Sequence, residues 1–142
     1  MPQTWYENED GTVDYECTTK LDNQTLLLAA QELSRTNDTI YWNIWLTLSN
    51  KRSQRVYNED HCLSTGLNPF ATYRAALCLL KKAELGCQIE YPEFNHMFVV
   101  GWVDKRRRDA YEKVLSKYGY QMGRFERQKR LIKYVKKGSI EL

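Results

Sequence analysis

Thr39 to Ser49, TIYWNIWLTLS, alternates without a break. Ile40, Trp42, Ile44, Leu46 and Leu48 fall on one side, and Tyr41, Asn43, Trp45, Thr47 and Ser49 on the other. Successive side chains of a β-strand point to opposite faces, so this stretch is a strand with one wholly apolar face. No other part of the chain carries so strong a strand signal. An apolar face of that length needs a covering layer, which directs the fold toward a sheet with helices packed on it.

The flanking segments supply the other elements. Residues 1–17 mix Trp5, Tyr6 and Tyr15 with acids, and Asp10-Gly11 marks a turn, so this end reads as a small hairpin or a partly ordered tail. Asp22 to Arg35 reads as a helix whose apolar face is Leu26, Leu27, Ala30 and Leu33, capped by Asp22 or Thr25. A short strand through Arg55-Val56-Tyr57 is expected to pair back on the 39–49 strand. His61 to Phe70 is a loop. Asn68-Pro69 then starts a helix that runs to Leu85 and stops at Gly86, with Phe70, Tyr73, Ala76, Leu77 and Leu80 on its buried face. His96 to Val103, HMFVVGWV, is apolar enough to be a strand buried on both faces. Tyr120–Phe125 and Arg130–Val135 close the chain as two strands around a polar turn. The expected order is β-hairpin, α, β, β, loop, α, β, α, β, β: one domain over 1–142, α/β or α+β, a mixed sheet flanked by helices.

Gly101 to Tyr120, GWVDKRRRDAYEKVLSKYGY, carries the oddest local chemistry. Asp104 can cap a helix whose apolar stripe is Ala110, Tyr111, Val114, Leu115 and Tyr118, with Gly119 as a left-handed stop. Lys105, Arg106, Arg107 and Arg108 crowd its first turn, where each cation opposes the helix dipole by roughly 0.3–1 kcal/mol. The turn is either a solvated basic face offset by Asp104, Asp109 and Glu112, or an anion site, because guanidinium groups and free helix N–H groups both suit phosphate.

Charge is divided along the chain. Residues 1–100 hold 8 Lys and Arg against 13 Asp and Glu, whereas residues 101–142 hold 13 against 5. That asymmetry suits a charged partner and rules against a nucleic-acid mimic, which would be acidic throughout. Within the basic third, Arg124, Arg127, Lys129, Arg130 and Lys133 interleave with Tyr118, Tyr120, Phe125 and Tyr134. Cations that neutralise phosphates beside aromatics that stack on bases make a nucleic-acid surface. The same composition also arises in an edge hairpin protected by lysines.

Several function classes weaken on inspection. No apolar run reaches the roughly 18–20 residues of a membrane span, and MPQTWYENEDG lacks the basic-then-apolar pattern of a secretory signal. Cys17, Cys62, Cys78 and Cys87 show no C-x-x-C spacing, so a reducing cytoplasmic setting with buried thiols is expected, and no metal site. Asp60-His61-Cys62 is a poor nucleophile motif, since a thiolate needs a base placed in space rather than in sequence.

The second half resembles the GCN5-related N-acetyltransferase (GNAT) fold. The carrying residues are TGLNPFATYRAA and GWVDKRRRDAYEKVLSKYGY, and Gly119-Tyr120 resembles the family's helix-ending Gly-Phe. These stretches also look like a group of small phage proteins built on this plan. The resemblance spans roughly residues 40–137 and implies a loop and helix at 63–85 for the acyl-CoA pyrophosphate. The family's loop is Q/R-x-x-G-x-G/A; here Gly66 remains, Asn68 stands for the second glycine, and Pro69 has no N–H. Leu115 occupies the position, four before Gly119, where the family often holds an acid tyrosine, and no general base is clearly positioned, Glu90, Glu93 and His96 being candidates. The expectation is therefore a non-enzymatic, phage-type binding protein without a cofactor. It would dock on host nucleic acid or nucleoprotein through Lys105–Arg108 and the terminal hairpin, against host defence or to redirect host machinery. One alternative is an acetyl-CoA-dependent N-acetyltransferase using Gly66 and Asn68. Another is a protein–protein inhibitor anchored by Trp5, Tyr6, Tyr41 and Trp45.

Overall fold

The computed structural model describes residues 3–21, 24–49, 69–102 and 105–139. In chain order the elements are strands β1 (Gln3–Glu7), β2 (Val13–Leu21), β3 (Gln24–Arg35) and β4 (Thr39–Ser49), helix α1 (Pro69–Glu90), β5 (Asn95–Val100), helix α2 (Lys105–Leu115) ending in a 3-10 turn (Ser116–Tyr118), and strands β6 (Gln121–Phe125) and β7 (Gln128–Val135). Among the described residues the seven strands form one sheet in the order β1-β2-β3-β4-β5-β7-β6. Neighbours are antiparallel except β4 and β5, which run parallel. The class is α+β with a mixed sheet.

The N-terminal segment is a hairpin. Asn8 and Thr12 close it through a backbone bond of 2.8 Å, Gly11 takes φ 87°, and Asp10 accepts the Thr12 N–H and O–H at 3.0 and 2.7 Å. Those bonds hold the Asp10 carboxyl below its usual range. Trp5 meets Tyr15, Trp42 and Tyr91 edge-on at centroid distances of 5.0, 6.1 and 5.8 Å, so the aromatic N-terminus is core packing.

Asp22–Arg35 was expected as a helix; its described part, Gln24–Arg35, is strand β3. Thr25 through Ala30 are all buried, between β2 on one side and β4 on the other. A helix buries one stripe, whereas a central strand buries both faces, and TLLLAA satisfies the second.

Register sorts the sheet into two faces. Trp5, Tyr15, Cys17, Leu26, Leu28, Ala30, Ile40, Trp42, Ile44, Phe98, Val100 and Leu131 share one core, with Ala76, Leu79, Leu80, Ala83 and Cys87 of α1 and Tyr111 and Leu115 of α2. Both helices thus cover the same face, where helices on both faces were expected. The apolar side of β4 meets them, as its alternation requires. β5 is buried over most of its length, matching its apolar sequence.

Helix α1 does not stop at Gly86; it continues to Glu90. A Cβ at Gly86 would lie 3.0 Å from Tyr15 Cε2, so this glycine admits a buried ring instead of ending a helix. Gly119 does end α2, at φ 95°. Tyr118 leaves the expected stripe because the chain tightens into a 3-10 turn at Ser116, which changes the angular step. Its ring is 37% exposed and carries Lys81 Nζ at 4.6 Å.

Candidate nucleic-acid interface

Strand directions decide where the basic residues meet. β5 runs parallel to β4, β7 runs against β5, and β6 runs against β7. The β6–β7 hairpin therefore leaves the sheet at the carboxyl end of β4 and β5, and Phe125 beside its turn packs back with its ring 5.8 Å from that of Tyr41 on β4. Helix α2 begins five residues after Val100, at that same end. The elements that bear the two basic clusters thus leave the sheet at one end, where Arg130 lies beside Trp102.

The β6–β7 turn has two residues, Glu126 at φ 51° and Arg127 at φ 69°. A two-residue hairpin needs positive φ at both positions to match the twist of its strands, and Asn-Gly is the usual solution. Placing Glu and Arg there costs stability, since β-carbons crowd the left-handed region. Arg124 and Lys129 pair across the strands beside the turn, and both are exposed. Like charges directly opposite each other repel.

Arg130 is the best-held cation. It is half-buried, its Nη1 donates to Lys129 O at 2.8 Å, and its Nη2 donates to Gln128 Oε1. Its guanidinium lies 6.0 Å from the Trp102 ring. A Cβ on Gly101 would approach Arg130 Nε to 3.1 Å, so the missing side chain lets the arginine lie across this strand end. Arg130 is thereby linked to the segment that leads into the basic turn of α2. Lys105 is exposed there, and Arg108 makes an ion pair with Asp109 at 3.2 Å. Exposed pairs of that kind hold weakly. Arg106 and Arg107 lie in α2; the placement of their side chains, Asp104, the 55–57 strand, the 61–68 loop with Gly66 and Asn68, and Cys62 lie outside the described residues.

Lys133 is a correction. Its Nζ pairs with Glu84 Oε1 at 2.7 Å, and the other Glu84 oxygen accepts the Tyr120 O–H at 2.7 Å. Burial, with Glu84 adding to it, pushes the Tyr120 phenol well above its ordinary value. Lys133 and Tyr120 are therefore structural links between β7, the start of β6 and α1. Tyr134 is 53% exposed on β7, paired with Met97 near the other end of the strand.

One candidate base, His96, and two thiols, Cys17 and Cys87, have fixed roles, whereas Glu90, Glu93 and Cys78 are exposed. His96 stacks near Trp42 and Phe98, accepts the Trp42 Nε1–H at Nδ1 over 3.1 Å, and donates from Nε2 to Tyr91 O at 3.0 Å. With both nitrogens occupied and burial lowering its pKa, it is a neutral core histidine. Cys17 is buried and its thiol is pushed up to about 11, chiefly by burial; Cys87 is raised for the same reason. Neither supplies a thiolate at neutral pH.

A cleft opens beside β4 where β5 ends. Their last paired residues are Ile44 and Val100, while β4 continues to Ser49. Asn43, Trp45, Gly101, Trp102, Tyr111 and Arg130 line the opening, which encloses about 90 Å³. An adjoining apolar recess is lined by Tyr73, Leu77, Tyr111 and Val114. The cleft residues come from four separate stretches, and only Gly101-Trp102 at the end of an apolar run hinted at it. Comparison with protein-family models, with curated proteins and with solved structures finds no match for this chain. No helix among the described residues is long and apolar enough to cross a membrane.

Proposed function

We propose that this chain is a non-enzymatic binding protein on a GNAT-like scaffold that docks nucleic acid, alone or within a nucleoprotein, at the carboxyl end of β4 and β5. The succession β4, α1, β5, α2, β6, β7 and the sheet order β4-β5-β7-β6 support that scaffold. The observation that carries the function is that the elements bearing Lys105 and Arg108, and those bearing Arg124, Arg127, Lys129 and Arg130, leave the sheet at one end, where Arg130 lies beside Trp102. Arginine matches phosphate with paired N–H donors, and each phosphate neutralised releases counterions. Arg127 in a left-handed turn and Arg124 opposite Lys129 are both unfavourable for stability and suited to an anionic partner. A phage-type role against host defence, or in redirecting host machinery, is the setting the sequence resemblance suggests for such a binder.

The test is fluorescence anisotropy with labelled RNA and DNA at ~50 mM salt, comparing wild type with Arg124→Ala/Arg127→Ala/Lys129→Ala and with Arg106→Ala/Arg107→Ala/Arg108→Ala. Both triple variants should lose binding while melting as cooperatively as wild type. The α2 variant should melt at or slightly above the wild-type temperature, because it removes cations from the positive end of a helix dipole. Full affinity in both variants overturns the proposal.

A second reading, an acyl-CoA-dependent N-acetyltransferase, is favoured by the cleft itself. Leu115 is buried in the core, but Tyr111 lines the opening beside β4. Calorimetry with acetyl-CoA separates the readings: heat of binding together with acyl transfer would select the enzyme, and no heat would select the binder.

A further inference from the structure

Phosphate contacts account for the cations but not for the cleft beside them. Trp45 on β4 and Trp102 after β5 are both half-buried in its wall. Trp45 is fixed by donating its Nε1–H to Gln31 Oε1 at 3.2 Å. Trp102 has the Arg130 guanidinium 6.0 Å from its ring, and Arg130 is itself held by Lys129 O and Gln128. Gly101 leaves the space the arginine crosses. Asn43 adds an amide with both donors and acceptors to the same wall. The opening of about 90 Å³ is smaller than the ~150 Å³ cavity that holds a benzene ring, so it admits the edge of one ring and not a base pair.

We infer that this cleft seats one unpaired base of a single-stranded nucleic acid, while the cations of the β6–β7 turn and the first turn of α2 hold the phosphates on either side. The inference rests on the nucleic-acid reading proposed above and narrows it to a ligand class. Every base has a π-face, so indole and guanidinium planes accept it without sequence preference. An amide on the wall meets the polar edge of the ring. A duplex keeps its bases paired and stacked and offers the cleft nothing to hold.

Three labelled ligands test this at low salt: a short oligothymidylate, an abasic strand with the same number of phosphates, and a duplex of matched length. Wild type should bind oligothymidylate about tenfold more tightly than the abasic strand, the scale of one stacked base. Trp102→Leu should erase that difference, and a cooperative thermal melt shows that the variant is folded. Trp102→Phe should restore most of the difference. Equal wild-type affinity for oligothymidylate and the abasic strand would overturn the base pocket and leave the phosphate interface standing. Tighter binding of the duplex, or a difference that survives Trp102→Leu, would overturn it equally. If none of the three binds, the nucleic-acid reading itself fails and the base pocket falls with it.

Discussion

Replacing Glu84 is the sharpest test of how the sheet and α1 are joined. Glu84 is 7% exposed and accepts two bonds of 2.7 Å, from the Tyr120 O–H and from Lys133 Nζ. Glu84→Leu keeps similar volume but leaves a phenol in a 1% exposed residue without an acceptor. An unmet buried hydroxyl costs about 1–3 kcal/mol. The Lys133 side chain, 26% exposed, can turn to water, so losing its partner costs less than about 1 kcal/mol. Removing a carboxylate from a nearly buried site offsets part of the loss. The net is about 2 kcal/mol, or about 6 °C in a domain of this size. Tyr120→Phe in the Glu84→Leu background should then cost about 1–2 kcal/mol less than in wild type, because the unmet hydroxyl is gone. Urea unfolding of the four proteins with a common m-value measures the coupling. A neutral Glu84→Leu, or two strictly additive costs, refutes the network.

Three further outcomes follow from the same geometry. Gly86→Ala should destabilise by about 1 kcal/mol in a urea melt, since crowding the buried Tyr15 ring, about 1–3 kcal/mol, exceeds the helix-propensity gain of about 1 kcal/mol; a gain in stability would show that the ring yields freely. His96 is held neutral by burial, with Glu93 partly opposing, so the unfolded state binds a proton the folded state refuses. Its contribution is complete above the ordinary histidine value of about 6.5 and falls away as pH drops below it, and equal urea midpoints at pH 7.5 and 5.5 would contradict this. Glu126→Asn/Arg127→Gly should raise stability by about 1 kcal/mol while weakening oligonucleotide binding by about one phosphate contact, which thermal melts and anisotropy on the same sample can separate.

What could be read from the sequence was what local pattern decides. The alternation of 39–49 specified β4 and its apolar face, Asp10-Gly11 marked the first hairpin, and Gly119 ended α2. The failures are places where distant contacts overrule local preference. Leu and Ala are good helix formers, so 22–35 read as a helix; pairing with β2 and β4 buried Thr25–Ala30 on both faces and made it a strand. Gly86 resembled a helix stop because the Tyr15 ring that needs it lies on β2. Composition marked the cations but could not show that Lys133 is engaged by Glu84, 49 residues away. Nor could it show that the elements bearing the two basic clusters leave the sheet at one end, which follows from β5 running parallel to β4 and the last hairpin pairing back on β5. The cleft joins Trp45, Trp102 and Arg130 by the same route.

The most direct test of the central claim is the salt dependence of single-strand binding. With four of the clustered cations on phosphates, the slope of log affinity against log salt is about −2.8, at about −0.7 per contact. Raising salt from ~50 to ~200 mM should then weaken binding by about fiftyfold, and Arg124→Ala/Arg127→Ala/Lys129→Ala should flatten the slope by about two units. Binding that ignores salt, or a variant with the wild-type slope, would contradict the claim that this end of the sheet is a phosphate-docking surface.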